Sequence, residues 1–108
     1  MKINSPHLRG KLHFFASASS YFSGPIIIGF RPIAYVSSVH AATSVSIVEC
    51  DKIFPGETKL VELVLLDPGA LEVPLVLGLE ISIGSTVKQI GTFAVGEMLG
   101  FWAGDKVP

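Results

Sequence analysis

A chain of 108 residues suits one compact domain spanning its whole length and leaves no room for a second of ordinary size. Eight Lys and Arg against nine Asp and Glu give a formal charge of −1, which excludes a wholly basic nucleic-acid module and disorder driven by charge. Hydrophobic residues make up 49% but charged ones only 16%, short of the roughly 25% usual in soluble domains, so an unusually apolar exterior is expected.

By size scaling, a chain this long buries roughly two-thirds of its unfolded surface, enough for a core without disulfides or a structural metal. Cys50 is the one cysteine and can form no intramolecular bridge. The longest apolar stretch, Pro25 to Phe30, is broken by Pro25 and Gly29 and falls far short of the roughly 18–20 residues that span a bilayer. Asn4, Ser5, Pro6, His7 and Arg9 stand where a signal peptide would have its apolar centre, so a cytoplasmic location is expected.

Short runs with period-2 alternation and β-branched or aromatic enrichment, bounded by Gly, Pro, Ser or Asp, predict strands. The first is Lys11–Ala16, ending in a Ser-rich loop over Ser17–Ser20; Pro32–Ser37 and Ser44–Glu49 follow. Lys59–Leu65 comes after a Phe54-Pro55-Gly56-Glu57 turn, where Pro sets the first central φ and Gly allows a positive second, and ends at Asp67-Pro68-Gly69. Leu79–Ile83 and Val87–Val95 form a hairpin about Gly84, Ser85 and Thr86, with Gly91 predicting a bulge or bend. No window of a dozen residues keeps a helical period. The pattern therefore gives an all-β domain and leaves sandwich and small barrel open.

Motifs for chemistry are missing. There is no phosphate loop of the form G-x-x-x-x-G-K-[ST], so no nucleotide partner is expected. Cys50 has no Cys partner for zinc, and His7, His13 and His40 lack the close pairing on one element that a metal requires, so neither metal nor cofactor is expected. His13, between Leu12 and Phe14, reads as a solvent-facing strand position. Glu49 and Asp51 flank Cys50 and oppose thiolate formation. The reading is of a protein that is not an enzyme. Charge is uneven along the chain, +4 over residues 1–40 and −5 over 41–108, but no block of like charge marks a charged face.

Several segments, in order, resemble the C-terminal β-barrel, the third domain, of bacterial elongation factor Tu. Gly24-Pro25-Ile26-Ile27-Ile28-Gly29-Phe30-Arg31-Pro32 is similar to that family's Thr-Pro-Phe-Phe-Lys-Gly-Tyr-Arg-Pro. Ile53–Glu57 resembles its Met-Val-Met-Pro-Gly-Asp turn, Val61-Glu62-Leu63 its Val-Glu-Leu, and Ala70-Leu71-Glu72 its Ala-Leu-Glu. Gly78 to Leu99 runs without gaps beside the family's ending, with Lys88 on an Arg and Gly91 on a Gly. The resemblance implies a closed six-stranded antiparallel barrel over residues 11–99, with an N-terminal arm over 1–10 and a C-terminal tail over 100–108.

In that family, the surfaces around the matching hairpin and the approach to the first motif help hold aminoacyl-tRNA. Here Gly84-Ser85-Thr86-Val87-Lys88 and Ser20-Tyr21-Phe22-Ser23-Gly24 have lost most of that charge, and with it the attraction to phosphate. Arg31, Lys88 and Gln89 are left as candidate RNA or partner contacts, against the plainer readings of a local ion pair and solvated hairpin residues. Trp102, past the last strand, is either a lid on the barrel or an exposed partner anchor. The expected function is a binding module acting through protein contacts, by self-association or with a partner. Binding of tRNA-like RNA is the alternative, and a decoy or remnant of the elongation factor a third reading.

Overall fold

The computed structural model describes residues 5–22, 24–36, 42–67, 74–85 and 88–102. They form six strands: β1 (Pro6–Phe14), β2 (Ile33–Tyr35), β3 (Ala42–Glu49), β4 (Thr58–Leu65), β5 (Glu80–Gly84) and β6 (Gln89–Phe101). All pairings are antiparallel and the sheet closes on itself in the order β1-β4-β3-β2-β5-β6, so the choice between sandwich and barrel falls to the closed barrel.

Alternation fills the interior. Leu8, Leu12 and Phe14 of β1, Val45 and Ile47 of β3, Val61, Leu63 and Leu65 of β4, Ile81 and Ile83 of β5, and Ile90, Phe93 and Val95 of β6 make one buried core. The segment after β1 closes one end. Ala16–Ser20, expected as the last strand residue and a loop over Ser17–Ser20, is a 3-10 turn that drops Ala18 into the core, and Phe22 packs against Phe14 at 5.5 Å and Phe30 at 5.2 Å between ring centres. An isolated Ile26–Ile53 bridge ties this segment to the turn before β4, where Gly56 takes the expected positive φ of 92°.

The outer strands differ from the sequence expectation. β1 begins at Pro6, so residues 6–10 belong to the barrel wall and not to an arm. β6 runs on to Phe101, which pairs with Pro6, so the wall also includes the first residues assigned to the tail. Gly10 explains the first difference: it stands at an inward position where no apolar side chain signals a strand, and a Cβ there would lie 2.0 Å from the Ala94 carbonyl oxygen. A register shift opposite Gly96 explains the second, because it breaks the period-2 alternation of β6. Gly91, expected as a bulge, is in regular register with Phe14 and Ile83. It is required by close approach, since a Cβ would lie 2.3 Å from the His13 carbonyl oxygen, and the β5–β6 irregularity falls at Gly84 instead.

Candidate functional site

Two of the four candidate residues meet in one cleft. Arg31 follows the Ile27–Phe30 turn and Lys88 immediately precedes β6, and together with Tyr21, Phe22, Phe30, Pro32, Ile33, Gly84, Ser85 and Ile90 they line a cavity of about 360 Å³ at the closed end of the barrel. Its inner wall is aromatic and aliphatic, and its two charged residues are both cationic. The Lys88 ammonium lies 4.5 Å from the centre of the Tyr21 ring, a cation–π distance. Ser85 shapes the hairpin beside it: its backbone N–H donates to the Lys88 carbonyl at 2.9 Å, and its hydroxyl oxygen accepts from the Lys88 backbone N–H at 3.1 Å. Thr86 and Val87, the rest of the hairpin turn, lie outside the described residues.

Gln89 lies beside this cleft but its side chain is engaged elsewhere. Its amide donates to the Ser82 hydroxyl at 3.1 Å and to the Gly91 carbonyl at 3.2 Å, locking β5 to β6, while its backbone carbonyl accepts from the Tyr21 hydroxyl. Gln89 therefore orients Tyr21, which makes it a support for the cleft wall.

Trp102 is at the opposite end of β1. Its backbone N–H donates to the Ser5 carbonyl at 2.8 Å and its half-buried indole meets the His7 ring edge-on, 5.2 Å between centres. It rests on the outer wall of the barrel, where the outward-facing Val64 and Ser46 are also fully buried. A row of polar and charged side chains continues from His7. Glu62 approaches His7 Nε2 at 2.8 Å and accepts from Arg9 at 3.3 Å, and Arg9 donates to Glu97 at 2.9 Å. His13 faces outward as expected, its Nδ1 2.7 Å from the Thr58 hydroxyl. Among the described residues no group of His, Cys, Asp and Glu is placed to hold a metal, and no helix is long and apolar enough to cross a membrane.

Part of the exposed apolar surface lies on the turns about Ile26 and Ile53. Ile27, Ile28 and Phe54 are about half exposed, and the Ile26–Ile53 bridge, with its two hydrogen bonds of 2.9 and 3.0 Å, holds their backbones side by side. Sequence reasoning missed this patch and the aromatic side of the cleft. The residues were visible in the sequence, but the pairing of positions 26 and 53 that gathers them is long-range. No protein-family model and no curated protein matches the sequence.

Proposed function

We propose that this barrel is a non-enzymatic binding module of the kind represented by the third domain of elongation factor Tu, working through protein contacts. The observation that carries this reading is that Ile27, Ile28 and Phe54, three large exposed apolar residues, stand on neighbouring segments joined by the Ile26–Ile53 bridge. Scattered exposed hydrophobics are ordinary, whereas several on adjacent segments of a surface poor in charge suit a contact face. The order of the Gly24–Pro32, Ile53–Glu57 and Gly78–Leu99 segments supports the likeness to the elongation-factor barrel, with Ala70–Glu72 falling outside the described residues. A test is the capture of a defined partner by the folded protein, compared with Ile28→Glu and Phe54→Glu. Loss of that partner from both variants, with unchanged circular dichroism, is the expected result. Capture that is equal for all three proteins would overturn the reading.

A second reading, RNA binding, is favoured by one observation: Arg31 and Lys88 flank a cleft walled by Tyr21 and Phe30, which combines phosphate-attracting cations with ring faces for bases. It predicts that structured RNA is retained in a gel shift at low salt and released steeply as salt rises. Arg31→Glu and Lys88→Glu should each reduce retention. Absence of any retention at low salt would remove it.

A further inference from the structure

Across the outer wall, Leu60 of β4, Lys11 of β1, Ala94 of β6 and Glu80 of β5 stand in one row, because Lys11 pairs with Leu60 and with Ala94, and Ala94 pairs with Glu80. Lys11 and Glu80 are exposed, and among the described residues neither enters an ion pair. Beside Lys11 the surface is hollow. Gly10, Ala94 and Gly96 carry little or no side chain and floor a depression of about 420 Å³ bordered by Arg9, Lys11, Leu60 and Glu97. Leu60 is 61% exposed at one end of the row, and the exposed Val76–Leu77 turn is held beside β6, past Ala94, by the Gly78 N–H to Val95 carbonyl bond.

From this arrangement we infer that the β4-β1-β6-β5 wall is the interface of a symmetric dimer, its occupant a second copy of this chain. The charges select both the partner and the axis. A two-fold axis lying along β6 over Ala94 exchanges the strand on one side for the strand on the other. Lys11 of each copy then comes opposite Glu80 of its mate, giving two identical ion pairs across the interface. Neighbouring strands lie about 4.8 Å apart and packed sheets about 10 Å, separations that the combined reach of a Lys and a Glu spans. An axis across the strands would instead set Lys11 against Lys11 and Glu80 against Glu80. Glu97 falls near the axis, but each copy pairs it with its own Arg9 at 2.9 Å, so two ion pairs meet there and not two bare carboxylates. A net charge of −1 leaves little long-range repulsion between copies.

This face is separate from the Ile27, Ile28 and Phe54 patch, so its test does not bear on the reading proposed above. Sedimentation velocity over a range of concentrations is expected to show a monomer–dimer equilibrium in the full-length wild type. Lys11→Glu and Glu80→Lys each create two like-charge pairs in the dimer and should each raise the dissociation constant by about tenfold or more. The double variant restores opposite charges with polarity reversed and should return close to wild-type association. Three results would overturn the inference: a monomer at every concentration, a dimer indifferent to both single changes, or a double variant no better than the singles. Ile28→Glu should leave the dimer intact, and its loss there would likewise assign the interface to the wrong face.

Discussion

Cys50 stands just past the end of β3, and burial first, then Glu49 and Asp51, push its thiol above the ordinary range, with Lys59 opposing them. The two acids were legible in the sequence; the burial was not, because it depends on packing against the core cluster. The expected outcome is slow alkylation by iodoacetamide near pH 8 in the folded protein and faster reaction in denaturant. Because the folded thiol keeps its proton where the unfolded one has lost it, stability falls as pH rises through the unfolded thiol range near about 8.5. Cys50→Ser should flatten that alkaline decline in melts between neutral and alkaline pH. Trp102 makes a second test. Half-buried on His7 and tied through its backbone to Ser5, it behaves as part of the wall, and Trp102→Ala should cost about 1–3 kcal/mol in urea denaturation while leaving the capture of a partner unchanged.

The elements that the sequence shows clearly are those whose alternation is unbroken. In β4, Val61, Leu63 and Leu65 point inward with no interruption, and Pro55-Gly56 announces the turn before it. β1 and β6 were shortened in the reading because glycine carries no pattern. Gly10 hides the start of one strand and the irregularity beside Gly96 hides the end of the other, although these two make the longest pairing in the barrel. The glycines themselves are not equivalent. A methyl at Gly10 or Gly91 would run into the backbone of the neighbouring strand at 2.0 or 2.3 Å, whereas at Gly96 it would find its nearest neighbour at 3.4 Å. Gly10→Ala and Gly91→Ala should each lose more than about 3 kcal/mol or fail to fold, and Gly96→Ala should stay within about 1 kcal/mol of wild type. Thermal melts of the three variants compare them directly. Equal melting for Gly10→Ala and wild type would contradict the register on which the barrel closure rests.

At the scale of the molecule, the barrel carries three separable surfaces: the aromatic and cationic cleft, the Ile27, Ile28 and Phe54 patch beside it, and the wall running from Leu60 to Glu80. The strands themselves were legible, but their pattern left sandwich and barrel open, and closure was expected only from the elongation-factor resemblance. Arg31 and Lys88 were legible as isolated cations, but not their meeting at one cleft, because strand order around the barrel brings positions 21, 31 and 88 together and no local pattern encodes that order. The central claim is that the apolar patch, more than the cationic cleft, is where this protein meets its partner. Photo-crosslinking in the cell, with a benzophenone amino acid replacing Phe54 and the same residue at exposed Ser17 as control, tests it most directly. The expected result is one discrete protein adduct from position 54 and none from position 17. No protein adduct at position 54, with an RNA adduct when the same probe replaces Tyr21 in the cleft, would contradict it.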